Sequence, residues 1–202
     1  MAGRRSSVSR KTKETKISAT VNLDGSGRTA VHTRIPFLDH MLTLFGTHGA
    51  CDLTVSARGD LKVDLHHTNE DVGQVLGTCL DRALGDRAGL ARMGWAYVPM
   101  EEALARVVLD LSGRARLVIR DGRERREKPS FWSSASYQWG DAEHFLESMT
   151  RGARITLHVD LISGRDFHHS LEAVFKALGR AFRQAAARDA RVRGVPSSKG
   201  RI

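Results

Sequence analysis

The chain has 202 residues, 41% of them hydrophobic, with 32 Lys and Arg against 23 Asp and Glu and a formal net charge of +9. This composition is typical of a globular protein, and no apolar run approaches the roughly 18–20 residues that span a membrane. The basic N-terminus lacks the apolar stretch of a secretory signal, so we expect a soluble, cytoplasmic protein. The positive charge favours an anionic partner. Because aromatic residues are only 6%, a phosphorylated metabolite is favoured over nucleic acid, and neither nucleic acid nor membrane is expected as a partner.

The first half of the chain predicts two strands, each followed by a helix. The stretches "ISATVNL" and "CDLTVSA" have the β-branched content and partial alternation of strands. One helix opens at Asp39-His40, and another follows His67. Cys51 lies at a strand start and Cys79 in the apolar stripe of the second helix, so both are expected to be core thiols. The stripe consists of Val72, Val75, Leu76, Cys79, Leu80 and Ala83.

The second half repeats this order. "ARVVLDL" and "RITLHVDL" predict strands, one helix opens at Glu143-His144, and another follows His169. The last of these helices has its own apolar stripe, which consists of Leu171, Val174, Phe175, Leu178 and Phe182. A repeat of this size is one supersecondary unit used twice, and strands with helices that cover one face favour an α+β fold. We therefore expect an internally duplicated α/β sandwich with two pseudo-symmetric halves. It forms a single domain over residues 1–202, with repeat halves at approximately 12–90 and 95–190 and a loop-like tail at 191–202.

Each half contains one H-H-x-x-E motif. On a helix, His66 and His67 can each share a face with Glu70, but the two histidines diverge from each other by roughly 100°. Two metal ions could take one histidine each, whereas a single ion would accept both only in poor geometry. Imidazole and carboxylate ligands without thiolate suit Mn, Fe or Zn. The alternative for each pair is a polar helix start or a satisfied core histidine, and the duplication favours the metal site.

The first motif faces away from its own core. His66, His67 and Glu70 project from the side of the helix opposite the apolar stripe, where water would reach them. A metal site from which water is excluded must be shielded from solvent, and we expect another copy of the chain to shield these residues. The metal ligands would then meet at a subunit interface.

Ten short motifs occur in an order that resembles one known family. They are "RKTKET", "LDGSG", "PFLDHML", "HHTNED", "PMEEAL", "LDLSGR", "EHF", "ITLH", "HHSLEA" and "PSSKG", and they cover nearly the whole chain. The chain resembles the imidazoleglycerol-phosphate dehydratase family of histidine biosynthesis. The resemblance implies a fold of the ribosomal protein S5 domain 2-like kind, two manganese ions per active site, and active sites built between the subunits of a 24-subunit homo-oligomer.

The resemblance also implies a role for individual residues. Glu14 would be the catalytic acid/base and would contact the substrate. The phosphate-binding groups would be Arg92, Arg114, Ser197, Ser198 and Lys199. The metal ligands would be His40, His66, His67, Glu70, His144, His168, His169 and Glu172.

The implied reaction is the metal-dependent dehydration of imidazole glycerol phosphate to imidazole acetol phosphate by a hydro-lyase. The hydrogen to be lost is on a carbon without an adjacent carbonyl, so it is not acidic. An imidazolate held between two metal ions can expel the neighbouring hydroxyl, which acidifies the next C–H. A carboxylate such as Glu14 can then take that proton.

Other interpretations remain open from the sequence. The chain could be a non-catalytic metal- or polyanion-binding shell protein, or a metal-dependent hydrolase of a phosphorylated substrate. Arg92 and Arg114 could be surface arginines, 197–199 a frayed tail, and Glu14 an exposed strand residue.

Leu65 and Glu101 depart from the family pattern, and so does the stretch 120–142. That stretch predicts a surface loop with exposed Trp132 and Trp139. We assign His48 and His158 to structure and leave His32 unassigned.

Overall fold

The computed structural model describes residues 3–121, 133–134 and 137–202. The divergent stretch is therefore described only in part, and Trp132 lies outside the described residues. Trp139 is half-buried against the core, so the predicted exposure of this residue was wrong.

In chain order the elements are β1 (Arg5–Lys11), β2 (Lys16–Asn22), β3 (Thr29–His32), α1 (Pro36–Gly49), β4 (Asp52–Arg58), α2 (His66–Leu84), β5 (Met93–Met100), β6 (Ala103–Asp110), β7 (Arg116–Asp121), β8 (Ser133–Ser134), β9 (Tyr137–Gln138), α3 (Trp139–Ala153), β10 (Thr156–Ser163) and α4 (Phe167–Ala185).

Two four-stranded sheets have the same topology. The first has the order β1-β2-β4-β3 and the second β5-β6-β10-β7. In each sheet two antiparallel pairs are followed by one parallel pair, β3 with β4 and β7 with β10. The strands of each parallel pair are joined through a helix, α1 or α3, as a parallel connection requires. The predicted duplicated α+β fold with two similar halves is confirmed.

The helices pack across the two halves. α1 of the first half packs on α4 of the second, and α2 packs on α3, while α2 and α4 cover the sheets of their own halves. Both predicted helical stripes are buried, since Val72 and Leu76 in α2 and Val174 and Leu178 in α4 are at most 1% exposed. Cys51 and Cys79 are free and buried, as predicted.

Glycines allow these helix pairs to approach closely. A Cβ atom on Gly77 of α2 would lie 2.2 Å from the carbonyl oxygen of Met149 in α3. A Cβ on Gly179 of α4 would lie 2.6 Å from the carbonyl oxygen of Phe45 in α1. Each glycine follows the first histidine of its H-H-x-x-E motif by eleven residues. The close crossings therefore carry the histidines at the start of α2 and α4 towards α3 and α1.

None of the helices that the structure describes combines the length and the apolar character that crossing a bilayer requires.

Candidate metal centre

A first cluster forms where α1 meets α4. The Nε2 atoms of His40 and His168 each lie 2.9 Å from Oε1 of Glu172. One ligand atom from each of the three residues lies within 4.8 Å of the others, a spacing that one metal ion could bridge. His40 comes from the first half and the other two residues from the second, so the site depends on the packing of the halves. We call this group the α1–α4 cluster.

Glu172 is buried and remains ionised. Burial raises the pKa of its carboxyl, but hydrogen bonds from Lys176, His40 and His168 outweigh that effect and hold the pKa at about 2. Lys176 Nζ lies 2.5 Å from Oε2, the oxygen that does not contact the histidines. The carboxylate is therefore held in the charged form that binds a cation.

The equivalent cluster between α2 and α3 is looser. The rings of His66 and His144 are edge-to-face with centroids 4.8 Å apart, and His66 Nε2 lies 3.7 Å from Oε2 of Glu70. An open cavity of about 550 Å³ lies beside His144 and is also lined by Arg116 and Arg151. We call His66, Glu70 and His144 the α2–α3 cluster.

The second histidine of each motif forms a hydrogen bond with a carboxylate outside the two clusters. Nδ1 of His67 lies 3.0 Å from Oδ2 of Asp60, and Nδ1 of His169 lies 2.8 Å from Oε2 of Glu102. These hydrogen bonds raise the pKa of both histidines. Reasoning from sequence missed Asp60 and Glu102, although Glu102 lies in the quoted motif "PMEEAL". Within one chain, the eight predicted ligands thus form two three-residue clusters and two separate histidines.

Glu14 lies in the turn between β1 and β2, not in a strand. The Thr12 hydroxyl accepts hydrogen bonds from the backbone N–H groups of Glu14 and Thr15, at 3.1 and 2.9 Å, and shapes this turn. The Glu14 side chain is 58% exposed, and its Oε2 is 3.9 Å from Nδ1 of His67. Glu14 is thus exposed, as the alternative held, but it lies in a turn instead of a strand, and its carboxylate is next to a predicted metal ligand.

Arg92 connects the sheet to the C-terminal tail. Its Nε and Nη2 donate to the two oxygens of Asp110, at 2.7 and 2.9 Å, and its Nη1 donates to the carbonyl oxygen of Pro196 at 2.6 Å. The backbone N–H of Gly89 also donates to the carbonyl of Gly194, at 2.8 Å. The tail is thus anchored just before Ser197, so the alternative of a frayed tail was wrong.

The other predicted phosphate groups lie close to this anchor. A backbone hydrogen bond of 2.9 Å from Gly200 to Ser197 folds 197–200 into a turn, with Ser198 and Lys199 exposed. Arg114 is exposed between β6 and β7. A Cβ on its neighbour Gly113 would lie 2.9 Å from Ile202 of the tail. Arg114 and the tail therefore share one region of the surface.

The remaining histidines do not belong to either cluster. His32 is exposed at the end of β3. His48 is half-buried in the last turn of α1, where burial and the nearby Lys176 and Arg180 lower its pKa. His158 lies on the outer face of the second sheet, beside Trp95 and Val108.

Comparison with known proteins identifies relatives over the full length of the chain. The family profile described as imidazoleglycerol-phosphate dehydratase matches residues 33–182. The chain is 46% identical to the imidazoleglycerol-phosphate dehydratase of Leifsonia xyli subsp. xyli, with 100% of both chains covered. It is 47% identical to that of Mycolicibacterium smegmatis, with 100% of this chain and 98% of the relative covered.

Solved structures with the same description are similar in fold. The imidazoleglycerol-phosphate dehydratase of Staphylococcus aureus is 34% identical, with a TM-score of 0.78 over 92% of this chain and 99% of its own. The structure from Pyrococcus furiosus, in complex with (S)-C348, is 31% identical, with a TM-score of 0.80 over 96% and 100% of the two chains.

Proposed function

Because the chain belongs to the imidazoleglycerol-phosphate dehydratase family of hydro-lyases, we propose that it converts imidazole glycerol phosphate to imidazole acetol phosphate in histidine biosynthesis. The observation that carries this proposal is the α1–α4 cluster, where His40, His168 and Glu172 converge from opposite halves of the duplicated fold.

The donor set of the clusters fits divalent manganese. The α1–α4 cluster offers two imidazoles and one carboxylate, and His66, His144 and Glu70 offer the same set in the looser α2–α3 cluster. The thiols of Cys51 and Cys79 are buried in the core. Nitrogen and oxygen donors without sulfur suit Mn, with Fe and Zn as alternatives. We assign two ions to each active site, held by the two clusters together with His67 and His169. When bound, they would favour the imidazolate form of the substrate ring.

The active site is proposed to be shared between copies of the chain. Each cluster supplies three ligands, while His67 and His169 of the same chain turn towards Asp60 and Glu102. A ligand set of about four for each ion is then completed by a second copy. Assembly into a large homo-oligomer, a 24-mer by family resemblance, would bring such copies together.

An asymmetry between the two sheets supports this assembly. The outer face of the second sheet exposes Met93, Trp95, Tyr97, Val108 and Ile162, which are 38–58% exposed. The outer face of the first sheet carries small polar residues on the corresponding strands: Ser7 and Ser9 of β1, Ser18 and Thr20 of β2, and Thr54 and Ser56 of β4. An exposed apolar face of this kind fits a protein partner, here another copy of the chain.

Glu14 is proposed to move the proton at the substrate carbon. Its carboxylate is exposed on a short turn, beside His67. That position lets it approach a substrate held at the metal ligands without first breaking a strong ion pair. The carboxylate would take the C–H proton that becomes acidic once the hydroxyl has left.

The C-terminal tail is proposed to bind the substrate phosphate. Lys199, Ser197 and Ser198 offer an ammonium group and two hydroxyls, and Arg114 lies nearby. Arg92 uses three of its nitrogens on Asp110 and Pro196, so it would contribute to phosphate binding chiefly by holding the tail in place.

The first test is an assay of purified, manganese-loaded protein with imidazole glycerol phosphate, run beside Glu14→Gln. General acid/base catalysis typically contributes about 10²–10⁴-fold, so we expect turnover to fall by that factor while bound manganese is unchanged. Lys13→Ala, in the same turn, is the matched control and should keep its activity.

Other outcomes would select the alternatives. Release of inorganic phosphate instead of the acetol phosphate would favour the hydrolase. Absence of turnover despite full metal loading would favour the non-catalytic shell protein. Unchanged turnover in Glu14→Gln would retain the enzyme and remove Glu14 from the mechanism.

A further inference from the structure

We propose that Asp60 and Glu102 are positioning residues that hold the rings of His67 and His169 so that each presents Nε2 to a metal ion. The inference rests on the proposed function, because it needs both histidines to be metal ligands. It adds two carboxylates that lie outside the repeated H-H-x-x-E motifs.

The same ring nitrogen is engaged in both halves. Oδ2 of Asp60 lies 3.0 Å from Nδ1 of His67, and Oε2 of Glu102 lies 2.8 Å from Nδ1 of His169. An ionised carboxylate only accepts hydrogen bonds, so Nδ1 carries the proton in each ring. Nε2 is then the nitrogen with a free lone pair, and its direction is fixed by the hydrogen bond on the opposite side of the ring.

The two carboxylates occupy positions that the duplication does not relate. Asp60 lies in the loop between β4 and α2, whereas Glu102 lies in the turn between β5 and β6. The counterpart of the Asp60 loop in the second half is 164–166, between β10 and α4. Each half therefore makes the same hydrogen bond from a different position, which a simple copy of one half would not produce. The shared hydrogen bond indicates a requirement of the site rather than a remnant of the duplication.

The second oxygen of each carboxylate has different surroundings. Oε1 of Glu102 accepts from the backbone N–H groups of Arg165 and Asp166, at 3.0 and 2.8 Å, so Glu102 joins its turn to the start of α4. Oδ1 of Asp60 is buried and has no hydrogen-bond partner among the described residues. A buried acceptor without a donor is unfavourable, so the favourable side-chain contact of Asp60 is the one that its other oxygen makes with His67.

This arrangement also separates the roles of two glutamates. The β1–β2 turn with Glu14 is the counterpart of the β5–β6 turn with Glu102. In the first half Asp60 occupies Nδ1 of His67, and Glu14 stays 3.9 Å away. In the second half Glu102 itself makes the hydrogen bond. One turn glutamate is thus left free for proton transfer, and the other is committed to orienting a histidine.

The test measures manganese binding to metal-stripped protein by equilibrium dialysis with elemental analysis. Loss of an outer partner of a metal-ligating histidine typically costs about 10–100-fold in metal affinity, so Glu102→Ala and Asp60→Ala should each weaken one class of site by that factor. Glu101→Ala removes a neighbouring carboxylate from the same turn that acts on His169 through its charge alone, so it should weaken binding far less than Glu102→Ala. Glu102→Gln and Asp60→Asn, whose amide oxygens still accept from Nδ1, should lie between parent and alanine variant.

A double-mutant cycle separates positioning from a general effect on the fold. In a His169→Ala background, Glu102→Ala should cause no further loss of affinity. A further loss in that background would overturn the proposal, as would unchanged binding in all four carboxylate variants. A parent protein that binds manganese normally but lacks turnover would instead overturn the proposed function, and the binding data would still decide the role of Asp60 and Glu102.

Discussion

Single carboxylates fix the loops of this protein, and Asp52, the first residue of β4, is an example. Asp52 accepts hydrogen bonds from the backbone N–H groups of Ser26 and Arg28, at 2.9 and 3.1 Å, and from the Arg28 guanidinium at 2.7 Å. The hydrogen bonds from the Arg28 side chain and the Ser26 backbone hold the pKa of Asp52 well below its ordinary value of 3.8. One carboxylate thereby closes the loop between β2 and β3 on the sheet.

This residue predicts a specific pH dependence of stability. A lowered pKa in the folded state means that the contribution of Asp52 is complete above about pH 4 and is lost as the pH falls from there. We therefore expect Asp52→Asn to lower the melting temperature of metal-free protein at pH 5–7, with a difference from the parent that narrows below pH 4. Calorimetry from pH 3 to 7 measures it. A difference that stays constant down to pH 3 would show that the ionised carboxylate does not stabilise the fold.

At the scale of elements, the crossings of the helix pairs set which histidines meet. Gly77 lies against the backbone of α3 and Gly179 against that of α1, so no side chain separates either pair. Such contact leaves no room for even one methyl group. The α2–α3 crossing also carries the His66–His144 contact near its end, at 4.8 Å between ring centroids.

Gly77→Ala should therefore destabilise the protein, although alanine favours an isolated helix by about 1 kcal/mol over glycine. Overpacking of a tight contact typically costs about 1–3 kcal/mol, measurable by denaturant unfolding of metal-free protein. Because the helices must move apart, manganese binding should weaken as well. Gly140→Ala is the control and should be neutral or stabilising, because Gly140 lies in the first turn of α3 and no other described part of the chain comes within 4 Å of the new Cβ. Equal effects of both substitutions would contradict the role of the crossing.

At the scale of the whole molecule, the arrangement of the ligands argues for shared sites. One chain holds the α1–α4 cluster, the α2–α3 cluster and two histidines that turn to other partners. The positive net charge of +9 would attract an anionic, phosphorylated substrate to such sites. An isolated chain should accordingly be inactive until copies assemble.

Mixed oligomers test this sharing. Glu172→Ala and His67→Ala should each be inactive alone. If the two residues reach one site from different copies, random co-assembly after unfolding and refolding a mixture of the two variants should restore roughly a quarter of parental activity, because that share of sites contains neither substitution. Parent protein taken through the same cycle is the control. Absence of any recovery would place His67 and Glu172 of each site on the same chain.

The sequence determined the order of the elements, the buried stripes and the residue types of the candidate site. Val72 and Leu76, or Val174 and Leu178, could be assigned to the core because helical periodicity is a local property of the backbone. The duplicated H-H-x-x-E motifs indicated metal chemistry for a similar reason, since the spacing of His66 and Glu70 fixes their relation on one helix.

Only the tertiary structure decided which of these residues meet. His40 pairs with Glu172, 132 residues away, because α1 packs on the helix of the opposite half. No local pattern encodes that choice, which depends on the close glycine contacts between helices and on burial of both sheets against them. Asp60 and Glu102 could not be predicted either, because each reaches its histidine through the closure of a loop on a helix start. Contacts between distant segments follow from the packing of the whole chain, whereas periodicity and motif spacing record only what lies within a few residues.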